Sequence, residues 1–362
     1  MRIIVDLDGT LCELKSPNET YLEVKPKKEM IELLKKLKKE GHEIIIYTSR
    51  HMRTCNGNVN KVKEKIGKIT EDWLRKEGVP YDEIYFGKPY GDIIIDDMAI
   101  NAKDSDSVEK ELQDLFINIV IPMAGKGERF RKAGYNIPKY LIDIDGKTML
   151  ERALSSLPID LAKNVFFIAL KEHEEKYSIT EKINSIMKNY PKTRFKIILL
   201  ENTTRGQAET VLKIEEDINN DRGLLIFNVD SSFKSSRLRQ KIIASRFQDI
   251  DGIIGTFKDV QEKWSFVKIN EEGFVIETAE KKAISNNAST GLYYFTKGSD
   301  FVKACKKMIE NNYMTKNEFY IIPIYNILIK EGKKIIIDEV EEFDCFGTPE
   351  DLNMFYKNKV KI

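Results

Sequence analysis

The stretch VIPMAGKGERFRKAGYNIPK, Val120 to Lys139, joins an apolar, strand-like beginning to two glycines and several basic residues. Glycine lets the backbone come close to a ligand, and basic side chains neutralise phosphate charge. The stretch therefore predicts a buried strand followed by a phosphate-binding loop. Several kinds of glycine-rich loop bind phosphate, and the spacing of the residues distinguishes them.

The spacing excludes two of these loops. A P-loop requires GxxxxGK followed by Ser or Thr, and a dinucleotide fingerprint requires GxGxxG. Here Gly125 and Gly127 are followed by Phe130, and no Lys-Ser or Lys-Thr pair stands at the required offset. The remaining pattern is two glycines, then Arg129, then Lys139 after a proline. It suits attack of a phosphate on the α-phosphorus of a nucleoside triphosphate, where catalysis is mainly positioning and charge stabilisation.

The strand before the loop belongs to an alternating pattern that fills the second half of the chain. INIVIPM is followed by the short apolar runs FFIAL, KIILL, LLIFNVD and DGIIGTF, with charged segments between them. WSFVKINEEGFVIE predicts a hairpin that turns at Glu272-Gly273. The pattern predicts an α/β domain over residues 116–362.

The first hundred residues alternate in the same way. RIIVDL, EIIIYTS, DEIYFG and DIIIDD read as strands, and helices are predicted from Pro26 to Gly41 and over residues 58–76. Continuous apolar strands separated by helices predict a parallel sheet that is covered on both faces. The polar stretch KDSDSVEKELQD, Lys103 to Asp114, marks a boundary, so the first domain is expected to cover residues 1–112.

Polar residues stand at the ends of the predicted strands of this first domain. Asp6 and Asp8 lie two positions apart, on one face of the first strand. Ligands of parallel sheets bind beyond these strand ends. One carboxylate can attack a phosphoryl group, the other can protonate the leaving oxygen, and both can hold Mg²⁺. The residues that complete the predicted set are Thr48 and Lys88 for the phosphate, and Asp96 and Asp97 for the metal.

The order DxDGT, Thr, Lys and Asp-Asp resembles the haloacid dehalogenase-like (HAD) phosphatases over roughly residues 1–105. The resemblance implies a Rossmannoid parallel sheet, with Asp6 as the nucleophile that forms an aspartyl phosphate and Asp8 as the acid and base. It implies Mg²⁺ as the cofactor. The segments between the motifs are short, so we expect a minimal cap and an open site.

The pattern GxGxRF…PK resembles the sugar-phosphate nucleotidylyltransferases, and the resemblance extends over roughly residues 117–357. It implies a GT-A-like mixed sheet, catalytic roles for Arg129 and Lys139, and a Mg²⁺-binding role for Asp230. The segments TRGQAETV, AEKKA, NASTGLYYF and GTPEDL carry the same resemblance. The residues that it implies for the nucleotide are Ala124, Gly125, Gly127, Arg205, Gly206 and Gln207, and those for the sugar phosphate are Glu280, Lys281, Thr290 and Gly291.

One position departs from this family pattern. Many members have a second metal-binding aspartate two residues before the Gly-Thr pair, where this chain has Cys345. Asp344 stands one residue away and is therefore the candidate second metal ligand. The alternative is that Asp344 is a solvent-exposed acid at the end of a strand.

Composition indicates where such a protein works. Net charge is +1, with 59 basic and 58 acidic residues, so nothing global favours nucleic acid as a partner. No apolar run approaches the roughly 20 residues that span a bilayer, and the N-terminus does not resemble a signal peptide. The four cysteines lack metal-ligand spacing. We expect a reduced, cytoplasmic protein without a membrane partner.

Together the two halves predict a bifunctional enzyme that makes a nucleotide-activated sugar or polyol. A phosphatase would destroy the substrate of its own transferase, unless it removes one phosphate of a bisphosphate or acts on another intermediate. The family resemblance places such a pathway in capsule or surface glycan synthesis. CTP is the favoured nucleotide, because the second half lacks the C-terminal extensions of several other pyrophosphorylases. The alternative is an active phosphatase with a second domain that only senses a nucleotide or sugar phosphate.

Overall fold

The computed structural model describes residues 1–91 and 93–359, with side chains to residue 357. The chain divides into two compact units, Met1–Gln113 and Asp114–Ile362. Each unit carries its own sheet.

The first unit is built on a parallel three-stranded sheet in the order β1-β2-β3. Its register pairs Asp6 with Tyr47 and Thr48 with Phe86, so the carboxyl ends of the strands lie at one edge. The strands are β1 (Arg2–Asp6), β2 (Glu43–Thr48) and β3 (Glu83–Phe86). The helices are α1 (Lys28–Lys39), α2 (Val59–Val62), a π-helical turn (Lys63–Gly67), α3 (Lys68–Lys76) and α4 (Ser105–Asp114).

Helical spacing of apolar residues explains how α1 covers this sheet. Met30, Leu33, Leu34 and Leu37 recur at helical spacing and are all buried. The centre of β2 is also buried, as expected for an inner strand of a parallel sheet. The helix predicted over residues 58–76 is present, but as two α-helices joined by the π-helical turn.

The strand predicted from DIIIDD is wrong in the described part of this segment. Residues 93–97 form no strand, and Ile95 is 97% exposed; Asp92 lies outside the described residues. A run of β-branched residues becomes a strand only where a neighbouring edge accepts its backbone hydrogen bonds. Among the described residues, β1 forms a strand ladder with β2 alone, and the segment does not extend the sheet.

The second unit is built on a nine-stranded mixed sheet. Its continuous path is β13-β12-β14-β9-β4-β7-β8, while β11 pairs with both β14 and β15. Two small antiparallel pairs, β10-β16 and β5-β6, lie outside it. The strands are β4 (Ile117–Pro122), β5 (Asp143–Ile144), β6 (Lys147–Thr148), β7 (Ala162–Leu170), β8 (Arg194–Leu200), β9 (Leu224–Phe227), β10 (Ser231–Lys234), β11 (Gly252–Lys258), β12 (Ser265–Ile269), β13 (Val275–Glu280), β14 (Asn287–Phe295), β15 (Ile335–Glu339) and β16 (Glu342–Cys345).

Helices cover this sheet, and the core lies along its central strands. Every residue of β9 and of β14 is buried. The helices are α5 (Glu128–Lys132), α6 (Met149–Ser155), α7 (Lys171–Tyr177), α8 (Ile179–Met187), α9 (Gln207–Leu212), α10 (Glu215–Ile218), α11 (Leu238–Ala244), α12 (Gly298–Glu310), α13 (Ile324–Lys330) and α14 (Pro349–Lys359). The α/β class, the parallel sheet of the first unit and the mixed sheet of the second are therefore confirmed.

Cys12, Cys55, Cys305 and Cys345 all carry unpaired thiols. No helix in the described ranges combines the length and the apolar character that crossing a membrane requires.

Candidate functional sites

The carboxyl ends of β1, β2 and β3 bring three predicted residues of the first unit together. A carboxylate oxygen of Asp6 lies 3.0 Å from the Lys88 ammonium nitrogen. Thr48 is fully buried, and its hydroxyl accepts the backbone N–H of Arg50 at 3.1 Å. Parallel pairing places these residues at one edge, as the sequence predicted. At this edge the carboxylate can accept a phosphoryl group, and the cation and the hydroxyl can bind its oxygens.

Asp8, the predicted acid and base, is held by Arg50. The Arg50 Nε donates to both carboxylate oxygens at 3.1 and 3.0 Å, and Nη2 donates to Oδ1 at 2.8 Å. The Cys12 thiol donates to the same Oδ1 at 3.4 Å. Burial, and then the charge of Asp8, raise the pKa of this thiol to about 12, so it stays a neutral donor. The Asp8 carboxylate is thus fixed in one orientation.

Arg50 is a site residue that the sequence analysis missed. Its side chain is fully buried, with the guanidinium carbon 4.5 Å from the centre of the Tyr21 ring and 5.9 Å from that of Trp73. Nη1 donates to the Thr70 hydroxyl at 3.3 Å. The sequence did contain a signal for Arg50, because it stands two positions after Thr48 in YTSR, just beyond the strand end. Sequence alone did not tell whether it faces solvent or Asp8.

The predicted metal ligands of the first unit are not gathered together. Asp96 and Asp97 are exposed on the segment that forms no strand. Asp96 accepts the backbone N–H of Met98 at 2.8 Å, which is a local turn contact. Across residues 1–91 and 93–357, no three His, Cys, Asp or Glu side chains are grouped as a metal site. The structure thus brings Asp6 and Asp8 to the site and leaves Asp96 and Asp97 outside it.

In the second unit, the glycine-rich loop connects β4 to the short helix α5. Gly127 precedes α5 with φ +62°, a left-handed conformation that favours glycine, and an added Cβ there would lie 3.8 Å from the Cβ of Lys139. At Gly125, an added Cβ would meet nothing within 4 Å, so the backbone is open to a ligand. The loop thus has the open backbone that the sequence predicted, and it lies beside Lys139.

Lys139 forms an ion pair with Asp230, which follows β9. The nitrogen–oxygen distance is 2.6 Å, and both side chains are largely buried. The structure therefore joins a lysine that lies beside the glycine-rich loop to the acid predicted as a metal ligand. A basic group and an acidic group in contact can bind a nucleotide phosphate and its counter-ion side by side.

Asp344, the candidate second ligand, lies on β16 opposite Ser232 of β10 and is exposed. Side chains alternate along a strand, so Asp344 and Cys345 point to opposite faces. It is Cys345 that approaches Asp230: burial and then the Asp230 charge raise the pKa of its thiol to about 12. The geometry favours the reading of Asp344 as a solvent-exposed acid. An added Cβ on Gly347 would lie 3.4 Å from Asp230 Oδ2 and 3.5 Å from Cys345 Sγ.

Gly206 makes a close backbone approach beside the predicted nucleotide-binding segment. Its φ is +142°, and an added Cβ would lie only 2.5 Å from the backbone nitrogen of Phe319. Arg205 pairs with Glu209 at 2.9 Å and lies over the Phe319 ring. The guanidinium group of Arg205 is therefore held by contacts with two residues of the protein itself.

Gln207 and Gly291, which are far apart in sequence, meet at Asn228. The Gln207 side-chain amide donates to Asn228 Oδ1. Gly291 has φ +83°, and an added Cβ would lie 2.4 Å from Asn228 Nδ2. Thr290, its neighbour, is buried, and its hydroxyl has no hydrogen-bond partner in the described protein. Thr290 is therefore an interior residue, and its hydroxyl faces Gly255.

The predicted sugar-phosphate residues Glu280 and Lys281 form a partly buried network. Burial raises the pKa of the Glu280 carboxyl, while the hydroxyl of Ser265 and the charge of Lys281 lower it. Lys281 has φ +55°, unusual for a residue with a side chain. Its ammonium group donates to the Tyr320 hydroxyl at 2.6 Å. Residues in such strained backbone conformations cluster at functional sites.

Tyr320 lies between the predicted sugar-phosphate residue Lys281 and the predicted triphosphate residue Arg129. The sequence analysis did not identify it as a site residue. Burial, the contact with Glu318 and the Glu280 charge raise its pKa, while the Arg129 cation lowers it. Tyr320 therefore lies near Arg129, the predicted catalytic arginine, as well as Lys281. No local motif marked it, since FYIIPIYN reads as ordinary core sequence.

The residues present fit Mg²⁺ to different degrees in the two units. Mg²⁺ is usually bound by one or two carboxylates together with substrate phosphates, not by an all-protein cage. Asp230 in the second unit and Asp6 in the first meet that requirement. A site that needs Asp96, Asp97 or Asp344 does not fit the described geometry.

Both units match known protein families. Residues 118–333, more than half of the chain, match the nucleotidyl transferase family model. The chain belongs to the nucleotidyl transferase family. Residues 3–72 match the haloacid dehalogenase-like hydrolase family model. Both resemblances drawn from the sequence are confirmed.

Individual proteins resemble this nucleotidyl transferase over half or more of its length. The nucleoside-diphosphate-sugar pyrophosphorylase of Vibrio cholerae RC9 is 30% identical, with a TM-score of 0.56, covering 66% of this chain and 99% of its own. The UTP–glucose-1-phosphate uridylyltransferase AglF of Haloferax volcanii is 25% identical over 241 residues, which are 64% of this chain and 92% of AglF. The bifunctional protein GlmU of Methanocaldococcus jannaschii is 29% identical over 188 residues, 50% of this chain, and the match spans only 40% of GlmU.

Proposed function

We propose that the second unit transfers a nucleotidyl group from a nucleoside triphosphate to a sugar or polyol phosphate and releases pyrophosphate. The ion pair between Lys139 and Asp230 beside the open glycine loop carries this proposal. Arg129 and Lys139 neutralise the triphosphate, and Lys281 holds the acceptor phosphate. The related pyrophosphorylase and uridylyltransferase support a sugar phosphate as acceptor.

CTP is the proposed nucleotide. The Gln207 amide donates its N–H to Asn228 and keeps its carbonyl oxygen as an acceptor. The exocyclic amine of cytosine is a donor for that oxygen, whereas uracil has a carbonyl at the same ring position. Mg²⁺ is the proposed cofactor; Asp230 would hold it, and it would neutralise the triphosphate charge.

The first unit is proposed to be a phosphatase. Asp6 attacks the phosphorus of a phosphate ester, and Lys88 and Thr48 hold the phosphoryl oxygens. Asp8, positioned by Arg50, gives its proton to the leaving oxygen; as a carboxylate it then takes a proton from the water that attacks the aspartyl phosphate, which releases orthophosphate and restores Asp6. Mg²⁺ held by Asp6 would reduce the repulsion between the carboxylates and the substrate. Together the units would serve synthesis of a nucleotide-activated sugar or polyol for a capsule or another surface glycan.

The test begins with the full-length Asp6→Asn variant, which cannot consume phosphorylated acceptors. Pyrophosphate release is measured with Mg²⁺ for CTP, UTP, GTP, ATP and dTTP against a panel of sugar and polyol phosphates. Release that needs CTP and one acceptor is the expected result. Release with UTP instead would overturn the nucleotide assignment alone. Nucleotide binding without release from any pair would favour a sensor role for the second unit.

A further inference from the structure

Tyr320 holds the Lys281 ammonium group by two contacts. The ammonium group donates to the Tyr320 hydroxyl at 2.6 Å, and it lies 4.6 Å from the centre of the same ring. A lysine side chain is long and flexible, so its end takes one position only where a partner fixes it. The position of this cation therefore depends on the tyrosine.

The backbone just before Tyr320 is fixed against the predicted nucleotide-binding segment. Phe319 is fully buried, and its backbone N–H donates to the Arg205 carbonyl at 2.8 Å. Its own carbonyl accepts the Ala208 backbone N–H at 3.0 Å. The two segments come this close because Gly206 has no Cβ, which would lie 2.5 Å from the Phe319 nitrogen. Tyr320 thus starts from a backbone that is held by main-chain hydrogen bonds.

The strand that precedes Lys281 is joined to the same segment. The Thr278 hydroxyl, on β13, donates to the Ile322 carbonyl at 2.8 Å. Lys281 follows β13 directly, and its backbone N–H donates to the Trp264 carbonyl at 3.0 Å. The backbones on both sides of the contact are therefore fixed, so the hydroxyl and the ammonium group meet at a defined point.

This contact positions the Lys281 cation without neutralising it. Burial and then the contact with Glu318 raise the pKa of Tyr320, so the phenol stays neutral. The Glu280 carboxylate oxygen lies 3.9 Å from the Lys281 nitrogen, which is beyond hydrogen-bond distance. An ammonium group has three donors, and within the described protein one of them is used, by Tyr320. Because the side chain is 22% exposed, the other donors can reach a ligand anion.

We propose that Tyr320 is a positioning residue of the transferase unit, which holds the Lys281 ammonium group where the acceptor phosphate binds. The inference rests on the proposed transfer to a sugar or polyol phosphate. A lysine that is already held in place loses less conformational freedom when the phosphate binds, which increases affinity for the acceptor. Tyr320 acts on the acceptor through Lys281 and not by a contact of its own.

The experiment uses the full-length Asp6→Asn protein with CTP and glucose 1-phosphate, and it measures pyrophosphate release. Tyr320→Phe removes only the hydroxyl. We expect KM for glucose 1-phosphate to rise about 10-fold, while kcat and KM for CTP change by less than about 2-fold. Tyr313→Phe, at an exposed tyrosine earlier in the same connection, is the matched control and should leave all three values unchanged. An unchanged KM for glucose 1-phosphate, or an equal rise of both KM values, would overturn the proposal.

A double variant tests whether Tyr320 acts through Lys281. Lys281→Met removes the cation, so adding Tyr320→Phe to it should raise KM for glucose 1-phosphate by less than about 2-fold further. The reason is that the hydroxyl then has no ammonium group to hold. If Tyr320→Phe raises KM about 10-fold in both backgrounds, the tyrosine acts independently of Lys281, and the positioning role is rejected.

A measurement without substrate separates this inference from the proposed function. If CTP and glucose 1-phosphate release no pyrophosphate, the transferase proposal fails for this pair, and the reactivity of the Lys281 amine still tests the contact. Limiting acetic anhydride is applied to Tyr320→Phe and Tyr313→Phe, and acetylation of Lys281 is measured by peptide mass spectrometry. Loss of the hydrogen bond should increase that acetylation about 3-fold in Tyr320→Phe alone. Equal acetylation of Lys281 in the two variants would reject the positioning role whatever the activity.

Discussion

The Lys139 ammonium nitrogen and an Asp230 carboxylate oxygen lie 2.6 Å apart, although 91 positions separate them in the chain. The contact joins a lysine beside the glycine-rich loop that follows β4 to an aspartate that follows the buried strand β9. Strands β4 and β9 are parallel neighbours, so their carboxyl ends meet at one edge of the sheet. This edge gathers the proposed triphosphate-binding groups.

Removing the Lys139 charge should disable the transferase while the fold persists. For Lys139→Met we expect a loss of about 100-fold or more in kcat for pyrophosphate release, as for other groups that stabilise transition-state charge. Lys132→Met, at the exposed end of α5, is the control and should retain activity. A loss of less than 3-fold in Lys139→Met would contradict the role.

Replacing Arg50 by lysine should impair the phosphatase. A lysine keeps the charge but cannot form the paired contacts to both Asp8 oxygens. We expect kcat for orthophosphate release to fall about 10- to 100-fold, corresponding to the loss of charge-assisted hydrogen bonds. Pyrophosphate release by the same variant is the internal control. Wild-type phosphatase activity in Arg50→Lys would show that Asp8 needs no such clamp.

Two glycine substitutions should separate folding from ligand binding. Gly206→Ala places a Cβ against the Phe319 backbone, so we expect the free energy of unfolding to fall by about 1–3 kcal/mol. Gly125→Ala meets open space, so its stability should match wild type while KM for the nucleotide rises. Chemical denaturation and nucleotide-dependent kinetics measure the two effects. Equal stability of both variants would contradict the close approach at Gly206.

Glu280→Gln should change the pH dependence of stability. Burial raises the pKa of Glu280 above its usual value of 4.5, so the folded state binds its proton more tightly than the unfolded state. Its contribution to stability is therefore complete below pH 4.5 and is lost as pH rises through the folded-state pKa. The Tm of the variant minus that of wild type should increase from pH 4 to pH 7. A constant difference across this range would show that Glu280 has an ordinary pKa.

Chelation should stop both proposed reactions. Asp6 and Asp230 are the proposed Mg²⁺ ligands, each acting together with substrate phosphate, so EDTA should abolish pyrophosphate and orthophosphate release, and added Mg²⁺ should restore them. Asp230→Asn should raise the Mg²⁺ concentration needed for half-maximal pyrophosphate release and leave the phosphatase requirement unchanged. Full activity of either reaction in EDTA would show that the corresponding unit does not require a metal ion.

The sequence predicted most of the secondary structure because local patterns govern it. Apolar periodicity and the Gly41 stop predicted α1, and continuous apolar runs predicted the inner strands. The segment DIIIDD failed because strand formation depends on an available neighbouring edge, which no local pattern specifies. The same limit applies to Asp96 and Asp97, whose proposed metal role required that strand.

What the sequence determined by itself was the set of chemical groups, namely acids at the end of β1 and a glycine-rich basic loop after β4, and the resemblance of each half to a known family. Only the tertiary structure decided which of those groups meet. It paired Lys139 with Asp230, turned Asp344 away, placed Arg50 on Asp8 and brought Tyr320 to Lys281. The physical reason is that residue type and spacing fix local conformation, whereas contacts between distant residues depend on how sheets and loops pack.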